Sequence, residues 1–427
     1  MALTPTRIAL PGGATLIVQE NRTTPSVSLV AGVTAGAAVD PAGREGTAAL
    51  TARVLDRGTA LRPAGAIADA LDGRGASLST AAGRHQAVVS ATCLADDVDE
   101  VFDLLVDVLC HPVFPDREVA TRRTELVTGI RQDADDPGAV AEDRLAALLY
   151  PGHPYGRRVS GTVASVEGLG RADLEAFHAA WFGPDRTTIV VAGAVEASRV
   201  ADRAGALMAA WRPAAGVLPA WPRVAAAPAR RVESVAMPGK AQSDVAYGFV
   251  GLRRDDPDHD QAMVMNNALG QYALGGRLGD SIRERQGMAY YVYSELDASL
   301  AEGPLQIRAG VSAANVEKTI ASIDRELDAI RAEGFTAKEI DESKRYLVGS
   351  LPRQLETNRA IAGFLLRAEL FGLGLDYDQR LPGLLAAVTR DQANAAAARL
   401  LDPARATIVV AGPPMDAAQA TGATGHR

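Results

Sequence analysis

Apolar positions recur with two different spacings along the chain, and these spacings sort it into helices and strands. From Asp97 to Cys110, Val98, Val101, Phe102, Leu105, Val108 and Leu109 fall three and four apart, which predicts an amphipathic helix. Asp116 to Arg131 and Pro137 to Leu149 predict two more helices. Gly46 to Asp56 predicts a shorter one, with Leu50, Val54 and Leu55 on one face and Gly58 closing it. Arg7 to Glu20 reads as a hairpin turning at Pro11-Gly12, and Val27 to Thr34 as a strand. Leu78 to Cys93 alternates as one or two strands, and Thr187 to Gly193 is a buried strand. Further on, Val316 to Arg331 (Val316, Ile320, Ile323, Leu327, Ile330) and Lys338 to Leu347 carry the helical period again.

The pattern is also duplicated. Pro184 to Gly193, PDRTTIVVAG, returns as Pro403 to Gly412, PARATIVVAG, with eight of ten positions identical. Each copy follows a helical stretch and closes one half of the chain, so the repeat outranks local readings. Met208 to Arg231 is rich in Pro and Ala and reads as a linker. The expected organisation is an N-terminal domain over 1–207, a linker over 208–231 and a homologous C-terminal domain over 232–427. Each domain is α+β, a mostly antiparallel sheet covered by helices.

Bulk properties narrow the partners. The chain has 427 residues, 47% hydrophobic and 22% charged, with a net charge of −8 and a pI near 5.4. This balance argues against nucleic acid or an anionic membrane as the main partner. The longest uncharged run, Thr23 to Val39, contains Pro, Gly, Ser and Thr and is short for a membrane span. Pro11-Gly12-Gly13 breaks the apolar start, which argues against a signal peptide, and a cytoplasmic location is the default expectation. Cys93 and Cys110 have neither metal nor redox spacing, and the six histidines are too scattered to form a ligand set. Glu175 and His178 make half a site at best.

The stretch with the most chemistry is Ala273 to Leu296, ALGGRLGDSIRERQGMAYYVYSEL. Gly276 to Gln286 predicts a short amphipathic helix with Leu278 and Ile282 on one side, Gly287 a left-handed cap, and Ala289 to Ser294 a strand. Arg283 then stands in the last helical turn and Tyr290 at the start of the strand. A planar cationic fork and a phenol can together hold a peptide carbonyl and the oxyanion formed on attack. The plain alternative is a surface arginine and a packed tyrosine.

This stretch resembles the second half of the pitrilysin/insulinase family of zinc metallopeptidases. That family carries a small-residue loop, an SRL-like step and R-E-x-x-G-L-A-Y, matched here by Gly275-Gly276-Arg277-Leu278 and by Arg283-Glu284-Arg285-Gln286-Gly287-Met288-Ala289-Tyr290. The resemblance implies the fold of LuxS-type metalloenzymes and processing peptidases, two duplicated domains forming half a clam shell. It also implies a zinc helix G-x-A-H-F-L-E-H-x-L-F-x-G-T in the first half. Gly46 to Thr59 aligns with that helix without gaps, but Ala49 and Arg53 stand at the histidines and Ala52 at the general base. Gly129 falls at the third ligand, and Glu125 lies one turn off it.

Some members of the family work as two chains, one with H-x-x-E-H and one without. The resemblance therefore implies a non-catalytic subunit of a heterodimeric zinc peptidase, with no metal in this chain and zinc in an H-x-x-E-H-containing partner. Arg283 and Tyr290 would complement the partner's catalytic site, and the substrate would be an unstructured peptide. Gly75-Ala76-Ser77 matches the family's substrate-strand edge, and Gly275-Gly276 a loop beside the chamber. The alternative is a structural scaffold or peptide-binding protein with no peptidase role.

Overall fold

Both copies of the duplicated TIVVAG strand lie inside a sheet, and each sheet is built on the same plan. The structure is a computed structural model that describes residues 2–271 and 275–414. Residues Ala273 and Leu274, His426 and the end of the C-terminal domain expected from the sequence lie outside the described residues.

The strands are β1 (Thr6–Ala9), β2 (Thr15–Glu20), β3 (Ser26–Val33), β4 (Ser77–Ala82), β5 (Ala87–Leu94), β6 (Thr187–Gly193), β7 (Arg231–Ala236), β8 (Gln242–Val250), β9 (Ala289–Leu296), β10 (Pro304–Ser312) and β11 (Thr407–Gly412). One sheet has the order β1-β2-β6-β3-β5-β4, the other β7-β11-β8-β10-β9. The duplicated strands β6 and β11 each pair parallel with one neighbour, β2 or β7, and antiparallel with the other, β3 or β8. The remaining pairings are antiparallel. The fold is thus α+β, with two similar, mostly antiparallel sheets, as the repeat implies.

Local signals account for much of this. The hairpin β1–β2 turns at Pro11–Gly13, where Gly12 has a φ of 75°. The apolar stripe of helix Val98–Cys110 is buried, from Val101 and Phe102 to Leu109. Leu50, Val54 and Leu55 of the helix Thr47–Val54 and its cap are fully buried. Residues 209–230 carry neither helix nor strand.

The chain divides into two compact units that do not follow sequence order. The first comprises the chain up to Arg131, Arg157–Ala220 and Ser350–Arg380; the second comprises Gln132–Gly156, Trp221–Gly349 and the chain from Leu381. Each unit therefore takes one helix from the other half of the sequence. In the first, helix Asn358–Leu370 lays Ile361, Ala362, Leu365 and Leu366 on Ile17, Val30, Val190 and Ala192. In the second, helix Pro137–Leu149 lays Ala141, Leu145 and Leu149 on Ala246, Val250, Val409 and Ala411. The sheets accept these helices at equivalent points. A Cβ at Gly32 of β3 would lie 2.8 Å from a Leu366 methyl, and one at Gly248 of β8 would lie 2.7 Å from a Leu145 methyl. Gly32 faces Thr188 across the ladder and Gly248 faces Thr407, the matching residue of the repeat.

Among the described residues no helix is long and apolar enough to cross a membrane.

Candidate functional site

Helix Thr47–Val54 keeps the frame of a zinc helix without its ligands. Ala49 and Ala52 are buried methyls at 8% and 1% exposure, and Arg53 is exposed. On helix Asp116–Asp133, Gly129 brings no side chain, and Glu125 is exposed and bound to Arg122 at 2.7 Å. Methyl groups offer no lone pair, and a guanidinium repels a divalent cation. These residues do not fit zinc, and no step of catalysis runs through a metal held by them. Among the described residues no group of three or more His, Cys, Asp or Glu side chains is placed to hold a metal ion. The pair Glu175 and His178 is taken up by other partners. Glu175 binds Arg171 at 2.7 Å, while His178 stacks on Phe182 and donates Nε2–H to the Leu109 carbonyl at 2.8 Å. Burial holds that imidazole below its ordinary pKa, as for a neutral packing residue.

A buried acid shapes the start of the same helix. Asp40, 5% exposed, accepts hydrogen bonds from the backbone N–H of Gly46 at 2.7 Å and of Ala48 at 2.8 Å. Burial outweighs these two donors and pushes its carboxyl up from 3.8 to about 7. The folded chain then holds this proton more tightly than the unfolded chain, so this group's share of stability falls as pH rises from 3.8 to about 7. An Asp40→Asn variant lacks that loss. The expected result is that the melting temperature of the variant gains on that of the wild type as pH rises through this window. A difference that stays constant with pH would contradict the assignment.

The Arg283–Tyr290 stretch folds as expected, with two departures. Arg277 and Leu278 begin a helix that widens to a π-helix over Gly279–Arg285, and a second π-helix spans Asn267–Gln271. Wide turns of this kind are uncommon and often accompany functional sites. Leu278 and Ile282 are fully buried on one side, and Gly287, at a φ of 61°, ends the helix. Its N–H donates to the Arg283 carbonyl at 3.0 Å, and Met288 N–H to the Ile282 carbonyl at 3.1 Å. The side chain of Arg283 is 41% exposed, and its ion-pair contact among the described residues is Glu284 at 3.7 Å.

The second departure concerns Tyr290. Strand β9 is an edge strand and pairs with β10, with Val292 facing Ala309 and Tyr291 facing Gly310, but the next pair is Ala289 with Val311. Tyr290 is skipped, as in a β-bulge. Ala289 and Val292, three apart, both enter the core, so Tyr290 and Tyr291 both leave it. Strict alternation would have sent Tyr290 to the core side with Val292 and Ser294. Instead Tyr290 is 79% exposed, and among the described residues its hydroxyl has no hydrogen-bond partner. The residues that sequence reasoning passed over are Tyr291 and Gly310. Glycine inside the strand PLQIRAGVS was the available signal, since it marks a bulge or a close approach.

Gly275 and Gly276 line a cleft of about 570 Å³ with Asn267, Arg277, Glu326, Glu339 and Ser343, and neither Arg283 nor Tyr290 lines it. Gly75 has a φ of 59° with open space where a Cβ would stand, Ala76 is half-buried, and Ser77 is exposed at the start of β4. Among the described residues strand β4 is the outer edge of its sheet, with no strand paired on one side, and it carries no charge along SLSTAA. Such an edge can accept an extended peptide as a further strand.

The chain is similar to known proteins over nearly its full length. Residues 15–163 match the family described as Insulinase (Peptidase family M16), and residues 168–347 match the Peptidase M16 inactive domain. A protein of Mycobacterium leprae named as an uncharacterized zinc protease is 29% identical over 93% of this chain and 89% of its own length. A Helicobacter pylori protein named as a non-peptidase homolog is 24% identical over 86% of this chain and 84% of its own. The crystal structure of a peptidase M16 inactive domain from Pseudomonas fluorescens superposes with a TM-score of 0.89 at 29% identity, covering 96% of this chain and 99% of that one.

Proposed function

Since the chain belongs to the insulinase family, peptidase family M16, and lacks the ligands of that family's zinc helix, we propose that it is the non-catalytic subunit of a two-chain zinc peptidase. A homologous partner with H-x-x-E-H supplies the metal and the general base. This chain lends Arg283 and Tyr290, which donate hydrogen bonds to the scissile carbonyl oxygen as it gains negative charge. The substrate is an unstructured peptide laid along a sheet edge, with Gly75-Ala76-Ser77 at its entry.

The observation that carries this reading is the exposure of Tyr290. A tyrosine turned out of its own core by a bulge, whose hydroxyl has no hydrogen-bond partner among the described residues, supports a role other than packing. Among the described residues the ion-pair contact of Arg283 is Glu284 at 3.7 Å, and its side chain is 41% exposed. The non-peptidase homolog and the inactive-domain structure among the relatives agree with a chain that does not cut by itself.

The test is affinity isolation of the full chain from its native cell, followed by sequencing of what accompanies it. A stoichiometric homologous chain with H-x-x-E-H is the expected companion. A companion set without that motif would favour the scaffold reading instead.

A further inference from the structure

We propose that Gln286 is a positioning residue for Arg283: its side-chain amide closes the last turn of the π-helix Gly279–Arg285 and ties that turn to helix Val316–Glu333. The functional part of this inference rests on the reading of Arg283 as a donor to the partner's site.

The guanidinium of Arg283 is not fixed at its own end. Its contact with Glu284, at 3.7 Å, is longer than a hydrogen bond, so the backbone of its turn decides where the group stands. That turn has a narrow footing: of residues 282–286, Ile282 is buried and the other four are exposed. The amides of Gln286 and Gly287 both donate to the Arg283 carbonyl, and the Met288 amide donates to the Ile282 carbonyl. These bonds close the helix end on itself without joining it to a neighbour.

The Gln286 side chain makes that join. Its Nε2 donates to the Ser281 carbonyl at 2.9 Å and to Ser281 Oγ at 3.2 Å, across the turn that carries Arg283. Its Oε1 accepts from the Ser322 hydroxyl at 3.1 Å. Two further bonds give the network a direction. Arg325 Nη2 donates to Ser322 Oγ at 2.6 Å, and Ser281 Oγ donates to Glu326 Oε1 at 2.5 Å. Hydrogens thus point from Arg325 through Ser322, Gln286 and Ser281 to Glu326, from a cation to a carboxylate on the same helix. Each hydroxyl gives its one hydrogen and accepts another, so no member turns round without losing a partner. Ser281 and Ser322 are 4% and 1% exposed, which makes a broken link costly. Residue 286 must both accept and donate at this reach. An ionised glutamate would not donate, and asparagine is one carbon short. Packing does not call for an amide at this exposed position, which the R-E-x-x-G-L-A-Y pattern leaves open.

The experiment uses the full chain alone and assembled with its H-x-x-E-H partner, with a fluorogenic unstructured peptide as substrate. Gln286→Leu keeps the bulk and removes both halves of the amide, and Ser322→Ala breaks the same tie from the far side. In the chain alone, Gln286→Leu is expected to raise amide hydrogen exchange at residues 286–288 about tenfold and Ser322→Ala to raise it by less, while strand β8 stays unchanged. In the assembled enzyme, Gln286→Leu is expected to lower kcat about ten- to hundredfold with KM nearly constant, since misplacing a reacting group costs rate rather than binding. The double variant Arg283→Ala/Gln286→Leu should be no slower than Arg283→Ala, because one residue acts through the other.

Exchange at 286–288 equal to wild type in Gln286→Leu would overturn the tie. The positioning role would fall with normal kcat in Gln286→Leu beside an impaired Arg283→Ala, or with multiplying losses in the double variant. Full activity of Arg283→Ala would instead sink the donor reading, and the exchange result would then decide the tie by itself.

Discussion

Replacing Tyr290 by Phe or Arg283 by Ala is expected to lower the turnover of the assembled two-chain enzyme by roughly 100- to 1000-fold, the usual cost of removing one oxyanion donor. Tyr290→Phe deletes a single hydroxyl from a residue that is 79% exposed, so the fold of this chain has little to lose from it. Arg283 is in a similar position, being 41% exposed with an ion-pair contact no closer than 3.7 Å. Melting temperatures should therefore stay near wild type while kcat falls. KM should change less, because the donors grip the oxygen most strongly once it carries charge. Lysine at 283 should rescue only in part, since its ammonium lacks the planar fork of the guanidinium. Variants that keep full turnover would remove both residues from the chemistry.

The second large effect concerns the exchanged helices. Neither residues 1–207 nor residues 208–427 alone are expected to melt cooperatively. The first piece would keep helix Pro137–Leu149 without β8 and β11 to cover, and would lose helix Asn358–Leu370 from β3 and β6. Ile361, Leu365 and Leu366 are 1%, 0% and 5% exposed. At about 1.5–3 kcal/mol for each such side chain, their burial contributes about 5–9 kcal/mol. That is comparable to the whole stability of a typical domain, about 5–15 kcal/mol. Co-expressed, the two pieces should associate and regain a single transition, followed by near-ultraviolet circular dichroism. A cooperative transition in either piece by itself would contradict this picture.

Much of the fold was legible because periodicity reports burial directly. The stripe from Val98 to Leu109, the hairpin at Pro11-Gly12 and the repeated TIVVAG strand each state their own environment. The loss of the zinc ligands was equally plain, since Ala49, Ala52 and Arg53 occupy a fixed frame. What the sequence could not show was choice of partner. Leu145 and Leu366 announce an apolar helix face, but nothing local says which sheet receives it. The match of each leucine to Gly32 or Gly248 appears only in three dimensions. The site follows the same logic. Arg283 and Tyr290 were visible as residue types at a suggestive spacing, whereas the widening to a π-helix and the skipped residue in β9 depend on contacts made elsewhere. Strand alternation read literally would have buried Tyr290, and the register shift between Gly310 and Val311 turns it outward instead.

The division of labour is tested most directly by assaying zinc and peptide cleavage in the purified full chain, first alone and then mixed with its H-x-x-E-H companion. Alone, the chain is expected to carry no stoichiometric zinc and to leave an unstructured peptide intact, and the mixture is expected to cleave it. Tightly bound zinc together with hydrolysis by the single chain would contradict a subunit that contributes only the carbonyl-holding pair.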